Sequence, residues 1–458
     1  MSLEVVILAA GQGTRMYSDT PKVLHELGGR PLLVHVLAAA RHLNAKAVHV
    51  VYGHGGEQVP ASIAAKDVNW VLQAEQRGTA HALLQALPSV ATDASVIILY
   101  GDVPLIGSDT LTALVDASNS RTLALLTAEF EDPRGYGRVV RNGAGQVVKI
   151  VEEKDANESE RRLREINTGF LAAPATKLKQ WLAGVDNTNA QGEYYLTDIV
   201  ATAVSEKFNV VTCTPGSVWE VIGVNTRAEL ASLEREYQQK QARVLMASGV
   251  TVRDPARFDL RGELEPGRDV VIDVNVVLEG AVALGDGVQV GPNNVIRDSS
   301  IGAGTVILPN CVIEESVVGR NCQIGPFSRL RPGPRVADGA RIGNFVEIKK
   351  SDIGEGSKIN HLSYVGDTTV GKNANIGAGT ITCNYDGANK HRTVIGDNVF
   401  IGSDVQLVAP VTIGEGATIG AGSTITKDAP AGELTLSRAP QKTRTGWKRP
   451  RKKVTREQ

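Results

Sequence analysis

The chain has 458 residues, 49 of them basic and 50 acidic. That is too long for one ordinary core, and the even charge excludes a general pull toward nucleic acid or an acidic membrane surface. The local exception, Lys448-Arg449-Pro450-Arg451-Lys452-Lys453, reads either as a solvated end or as a contact for an anionic ligand or a neighbouring subunit. Cys213, Cys311, Cys322 and Cys383 form no C-x-x-C pair and show no metal-ligand spacing. They are expected to be reduced, buried or half-buried thiols of a cytoplasmic protein. The opening Met-Ser-Leu-Glu runs straight into Val5-Val6-Ile7-Leu8 without the pattern of a signal peptide. No apolar run approaches the ~20 residues that span a bilayer.

Residues 5–9, 48–52, 96–100 and 123–128 read as strands, and 31–43, 79–87 and 110–117 as the helices between them. Strand–helix alternation at this spacing predicts an α/β domain with a doubly wound, mainly parallel sheet. Residues 138–151, around Asn142-Gly143, read as a hairpin added to it. Leu230, Leu233, Tyr237 and Ala242 then recur at helical spacing amid charge, which predicts a connecting helix ending before Gly249.

Beyond it the period becomes six. Ile272, Leu278, Leu284, Val290 and Ile296 begin the series, and after a five-residue step Ile301, Ile307 and Ile313 continue it. It runs on to Ile413, Ile419 and Ile425, with Gly after many of the aliphatic positions. An inward aliphatic on each of three faces and small residues at the corners make a prism of stacked coils, about 18 residues each. The expected fold is a left-handed parallel β-helix of hexapeptide repeats, all-β. Residues 382–393 break the period and read as a loop thrown out from the scaffold. The expected domains are residues 1–226, a connecting helix 227–249, a β-helix 250–437 and a basic tail 438–458.

The first strand ends in a Gly-rich turn, Ala10-Gly11-Gln12-Gly13-Thr14-Arg15. Its backbone could wrap phosphate or simply turn tightly; it lacks the third Gly of a dinucleotide site and the Gly-Lys-Ser/Thr of a P-loop. Lys22 follows as a cation suited to phosphate, and Gln73 with Arg77-Gly78-Thr79 opens a helix with small residues where a flat base could lie. Asp102 ends an apolar strand, where it could cap a turn or, beside a phosphate loop, bind Mg²⁺.

The runs Leu8-Ala9-Ala10-Gly11-Gln12-Gly13-Thr14-Arg15-Met16, Pro21-Lys22, Gly78-Thr79-Ala80-His81 and Tyr100-Gly101-Asp102-Val103-Pro104 resemble those of sugar-nucleotide pyrophosphorylases. With the hexapeptide half, essentially the whole chain is similar to the family of bifunctional N-acetylglucosamine-1-phosphate uridyltransferase/glucosamine-1-phosphate acetyltransferases. The resemblance implies that Leu8, Ala9, Ala10, Gly11, Gln73, Gly78, Thr79, Tyr100 and Gly101 surround UTP, and that Arg15 and Lys22 hold its triphosphate and act in catalysis. It further implies Asp102 and Asn225 as Mg²⁺ ligands, with Gly137, Glu152, Asn167 and Thr168, together with Asn225, around N-acetylglucosamine-1-phosphate. From residue type alone, Glu152 and Asn167 would read as solvated polar side chains.

A hexapeptide prism serves acyltransferases and inert modules alike, so its polar residues must decide. Arg331, Lys349, His361, Tyr364 and Asn375 recur at spacings of a coil or less, near the loop carrying Asn384 and Tyr385. His361 alone could be a surface histidine. Beside an Arg and a Lys that could hold phosphate, it could take a proton from an attacking amine. The resemblance implies this role, with Arg331, Lys349, Tyr364, Asn375 and Lys390 around glucosamine-1-phosphate. Ala378, Asn384, Tyr385, Ser403, Ala421 and Arg438 would contact acetyl-CoA, and transfer would be direct. It also implies a homotrimer built through the β-helix, with no nucleic-acid or membrane partner. Two other readings stay open: a nucleotidyltransferase with a purely oligomerising or regulatory prism, and a non-enzymatic nucleotide-sensing subunit.

Overall fold

The computed structural model describes residues 2–53 and 58–452, so Lys453 of the basic run lies outside the described residues. It divides into two compact units, Met1–Val244 with Leu260–Gly262, and Leu245–Asp259 with Glu263–Gln458.

In the first unit, β1 (Leu3–Ala9) leads through α1 (Leu32–His42) to β2 (Ala47–Tyr52) and β3 (Asn69–Leu72). Then come α2 (Thr79–Ala86), β4 (Ser95–Tyr100), α3 (Ser108–Ala117), β5 (Thr122–Glu129) and the hairpin β6 (Gly137–Arg141) and β7 (Val147–Val151). β8 (Glu165–Pro174), α4 (Asp198–Ser205) and β9 (Asn209–Cys213) complete the sheet, and α5 (Arg227–Ala247) follows. The strand order is β9-β5-β8-β4-β1-β2-β3, with the β6–β7 hairpin attached through β8. β1 pairs in parallel with both β2 and β4, while β8 lies antiparallel between β4 and β5. The sheet is therefore mainly parallel. β8 escapes a simple reading because its run contains Asn167, Thr168 and Gly169, which shift its register against β5.

The apolar residues of β1 sort by parity. Val6 and Leu8 face one core, with Leu83, Trp181 and Ile199. Val5 and Ile7 face the other, with Leu33, Leu37 and Leu111. This two-sided burial explains the continuous Val5-Val6-Ile7-Leu8 run. Strand order reverses at β1 and β4, which places the binding crevice of an open α/β sheet at their C-terminal ends.

In the second unit, short strands stack one coil above another into sheets of 11 and 17 strands, the larger running over two faces. Gln323–Ile324 pairs in parallel with Arg341–Asn344, and that strand with Lys358–His361. The aliphatic positions of the six-residue series, from Ile272 through Ile313, Ile342 and Ile359 to Ile419 and Ile425, are at most 3% exposed. Each such side chain contributes about 1.5–3 kcal/mol by burial. The corner positions two residues before them carry small side chains, among them Ser299, Thr305, Ser328 and Ser351. Cys311 and Cys322 occupy two of these corners, where burial pushes their thiols up. All four cysteines are unpaired.

One expectation needs correction. The period does not break at Thr382: that side chain is 1% exposed in the inward position six after Ile376. Its strand Ile381–Cys383 pairs with Gln406–Val408. A hydroxyl replaces the aliphatic group, and the Gly366 N–H donates to it at 2.8 Å. The excursion begins at Asn384. Among the described residues, no helix is long and apolar enough to cross a membrane.

Candidate functional sites

In the first unit, a cavity of about 490 Å³ opens at the C-terminal ends of β1 and β4. Leu8, Ala9, Ala10, Gly11 and Arg15 line it from the Gly-rich loop, with Lys22 beyond, Gln73, Gly78 and Thr79 across from them, and Tyr100, Asp102 and Asn225 at the far end. Gly101 lies between two lining residues without lining the cavity itself.

Local conformation explains the loop. Gly13 has φ +64°, and a Cβ there would come 2.8 Å from the Cβ of Lys22. The missing side chain lets the loop close over the lysine. Lys22 is ion-paired with Asp102 Oδ2, and its Nζ donates to Asn225 Oδ1 at 3.1 Å. Gly78, φ +111°, opens α2 where a Cβ would meet Tyr194 O at 2.5 Å. Gln73 Nε2 is engaged with Gly78 O at 3.3 Å and lies 2.9 Å from His81 Nδ1. Gln12, Gly13 and Thr14 of the Gly-rich turn also line the cavity, as do Gln76 and Glu193, which sequence reasoning missed. Gln76 Nε2 donates to Ala10 O at 2.7 Å, a contact between a loop and a distant segment that no local pattern signals.

Gly137, Glu152, Asn167 and Thr168 lie outside the cavity lining and cluster around Tyr100. A Cβ on Gly137 would stand 3.5 Å from the Glu152 carboxyl carbon. Gly169, φ +90°, lies flat against the Tyr100 ring, where a Cβ would come within 2.4 Å. Asn167 Oδ1 accepts from Gly169 N at 3.2 Å, and the Thr168 hydroxyl donates to Leu126 O at 2.7 Å. Glu152 is not a freely solvated side chain, contrary to its reading from residue type. It is half-buried, and burial pushes its carboxyl above the usual range. The Thr197 hydroxyl, donating at 3.0 Å, offsets part of this, while Asp198, Asp155 and Glu193 push the same way as burial. Burial, with Glu152 and Asp102 nearby, also raises the Tyr100 phenol.

In the second unit, the second set of residues spreads over one face of the prism between the corners at Leu362 and Asp367, with Asn375 on the neighbouring face. Arg331 Nη1 pairs with Glu347 Oε1 at 2.9 Å, and Glu347 is in register with Tyr364 one coil on. Lys349 lies beside Lys390 and near Arg331, and these like charges lower its ammonium pKa. Asn384 Nδ2 donates to Asp367 Oδ2 at 2.5 Å and lies 3.4 Å from the Tyr364 hydroxyl. The loop is braced by the Tyr385 hydroxyl, which donates to Gly387 O at 2.6 Å, and by the His391–Asp386 pair at 2.6 Å. Asn375 sits apart from the cation cluster, in register with Lys358 and Phe400 on the 11-stranded face.

His361 ends the strand Lys358–His361, and its Nδ1 lies 2.9 Å from Asn344 Oδ1. At the corner just beyond it, Leu362 N donates to Asn344 O, Gly379 N to Leu362 O, Asp404 N to Ala378 O and Gly422 N to Ser403 O. Asn344, His361, Ala378, Ser403 and Ala421 therefore occupy equivalent places on successive coils. The three above the histidine are small, and Arg438 Nη1 closes the track by donating to Ala421 O at 2.7 Å. Sequence reasoning missed Asn344, Glu347 and Asp367. Each lies one coil, 17 or 18 residues, from a residue it did select, and that offset was the available signal.

An α/β unit with a Gly-rich loop facing a strand-end carboxylate, followed by a prism carrying His361 and a cation cluster, defines a nucleotidyltransferase joined to a hexapeptide-repeat transferase. The MobA-like NTP transferase domain matches residues 5–251, and the bacterial transferase hexapeptide (six repeats) matches residues 298–332 and 392–427. Over 451 residues the chain is 57% identical to the bifunctional protein GlmU of Aromatoleum aromaticum, covering 98% of this chain and 99% of that one. It is 57% identical to the bifunctional protein GlmU of Marinobacter nauticus over 98% and 99% of the two chains. The match to that of Azoarcus sp. is 58%, with the same coverage. The chain belongs to the bifunctional GlmU family. It is a transferase that carries a uridylyl-transfer and an acetyl-transfer activity on one polypeptide.

Proposed function

We propose that the prism acetylates glucosamine-1-phosphate from acetyl-CoA and that the α/β unit joins the product, N-acetylglucosamine-1-phosphate, to UTP with release of pyrophosphate. The observation that carries this reading is that each predicted set of residues has a chemistry suited to its step.

In the α/β unit, the small-walled floor of Ala10, Gln73 and Gly78 suits a flat base. The loop amides, Arg15 and Lys22 suit a triphosphate. Gly137, Glu152, Asn167 and Thr168 would hold the acetylated sugar beside Tyr100. A sugar-phosphate oxygen attacks the α-phosphorus, the new P–O bond forms, and the electron pair of the broken bond leaves with pyrophosphate. The protein's part is alignment and charge neutralisation. The donor set also fits Mg²⁺: Asp102 Oδ2 and Asn225 Oδ1 converge on one cation, the Lys22 ammonium. Hard oxygens in this number suit an ion that keeps water and phosphate as its other ligands. When bound, the metal would supply charge neutralisation at the phosphates.

In the prism, Arg331, Lys349 and Lys390 would hold the phosphate of glucosamine-1-phosphate, with Tyr364 and Asn375 at its sugar. The thioester would lie along the small-residue track of Ala378, Ser403 and Ala421, with Arg438 beside it; Asn384 and Tyr385 stand on the cation side, against Asp367 and Lys390. The amine attacks the carbonyl carbon, His361 takes the amine proton, and the C–S bond breaks to release the thiol.

The reading includes a cytoplasmic homotrimer. Four unpaired cysteines support the reducing compartment. For the assembly, a corner that carries Asn275, Asn293 and Asn310 on lower coils carries Phe327, Phe345 and Leu362 on the coils of the acetyl site. These last three are 50%, 58% and 63% exposed, and all have positive φ. Bulky apolar side chains in that conformation and in water point to burial against another copy.

The test measures thiol release from acetyl-CoA and pyrophosphate release from UTP on the same protein. His361→Ala is expected to abolish only the first, and Lys22→Met to lower only the second. An intact protein that releases no thiol would reduce the prism to a scaffold.

A further inference from the structure

We propose that Asn344 is a positioning residue for acetyl transfer: it fixes which imidazole nitrogen of His361 takes the amine proton. The inference rests on the reading of His361 as the base.

Asn344 and His361 end the consecutive strands Arg341–Asn344 and Lys358–His361 and are paired in register one coil apart. Parallel stacking at ~4.8 Å brings such side chains alongside each other, and Asn344 Oδ1 stands 2.9 Å from His361 Nδ1. An amide oxygen has no proton to give, so this bond forms when Nδ1 carries the hydrogen. The neutral ring then keeps its lone pair on Nε2, pointing away from the coil below. An unrestrained imidazole on an open wall would exchange tautomers and turn about its ring axis, spending part of its time with the wrong nitrogen presented.

The frame around the pair is rigid. Leu362 N donates to Asn344 O at 3.0 Å, and the Ser363 hydroxyl donates to His361 O at 2.8 Å. Gly343 leaves no room for a side chain, since a Cβ would lie 1.9 Å from Asn360 O. The charged groups of the acetyl site, Arg331, Lys349 and Lys390 with Glu347 and Asp367, lie across the adjoining face toward the next corner, the one turned by Lys350 and Asp367. Among the described residues, no carboxylate hydrogen-bonds the imidazole. The orienting group is therefore a neutral amide.

The experiment compares Asn344→Leu and Asn344→Asp with the native protein and with His361→Ala. It follows thiol release across pH and uses pyrophosphate formation as the check on folding. Asn344→Leu is expected to lower kcat for thiol release roughly 10–100-fold, the usual effect of losing a partner that orients a reactive imidazole. KM for both substrates and pyrophosphate formation should stay near native. Asn344→Asp restores an acceptor and should recover most of kcat at high pH. Its carboxylate favours the imidazolium, so the acidic limb of its profile should move to higher pH. Native kcat and pH profile in Asn344→Leu, or an Asn344→Asp variant as slow as Asn344→Leu at every pH, would overturn the proposal. Full thiol release by His361→Ala would instead sink the underlying reading of the base.

Discussion

The Lys22 ammonium lies between Asp102 Oδ2, its ion-pair partner, and Asn225 Oδ1. One side chain thus ties together points 80 and 203 residues apart in the chain. Lys22 and Asp102 are 11% and 19% exposed at their side chains, so the pair is shielded from salt far more than a surface bridge. The lysine stands where two oxygens would hold a divalent cation, and the two cations compete for one carboxylate. Lys22→Met should therefore raise the Mn²⁺ affinity of the nucleotide-free protein several-fold, read by electron paramagnetic resonance. The same change should lower pyrophosphate formation by about 10²–10³, the scale of losing one charge-stabilising donor. Unchanged Mn²⁺ affinity would mean that the lysine and the metal do not share a seat.

Glu152 gives a pH prediction. Its carboxyl is raised in the folded state, chiefly by burial. Between the unfolded value and this raised one, the native state holds a proton that the unfolded chain has lost, so stability falls as pH rises through that window. The penalty is complete above the folded value. Glu152→Gln removes it, and the variant should melt at a higher temperature than the native protein at neutral pH. The difference should vanish below the ordinary glutamate range. Its KM for N-acetylglucosamine-1-phosphate should rise if the carboxylate is a ligand to the sugar. A melting advantage that persisted at low pH would exclude burial of charge as the cause.

Gly169 is the position on β8 where backbone geometry and site meet. Alanine there would combine φ +90° with a Cβ 2.4 Å from the Tyr100 ring. Strain of about 1–3 kcal/mol follows, and the ring must move. The expected outcome is a lowered melting midpoint and a raised KM for the sugar phosphate, with thiol release at its native rate. Native uridylyl kinetics in a destabilised variant would show that Tyr100 does not border the sugar.

The legible parts of this molecule are those with a period. Ile342, Ile348 and Ile359 announce the prism because each coil repeats the same demand for an inward aliphatic. β1 announces the sheet because both of its faces are buried. What stayed hidden depends on closure in three dimensions. The surroundings of Glu152 include the Thr197 hydroxyl and the Asp198 and Glu193 carboxylates, residues more than a secondary element away. Gln76 reaches Ala10 across 66 residues. Thr382 concealed its inward position by being polar, and its hydroxyl only makes sense once Gly366 is seen beside it. Asn344 was hidden in a different way: its spacing to His361 was available, but an asparagine near a turn is ordinarily just a turn residue.

Lys349 offers the last test. Its ammonium is crowded by Lys390 and then Arg331, and Asp367 offsets this only in part, so its pKa lies below the usual lysine value. Such crowding persists in a fold when a ligand of opposite charge is meant to enter, because the cost is recovered on binding. Lys349→Gln relieves the repulsion. The ligand-free variant should therefore melt no lower than the native protein, although a cation has been lost from the site. Its KM for glucosamine-1-phosphate should rise about 10–100-fold, on the scale of one charged hydrogen bond to phosphate. KM for acetyl-CoA should hold, since the thioester track of Ala378, Ser403 and Ala421 runs up the corner from His361, away from the lysines. Adding inorganic phosphate should raise the native melting midpoint more than that of Lys349→Gln. Equal phosphate stabilisation of the two proteins would place the phosphate elsewhere, and leave the crowded cations without a ligand to explain them.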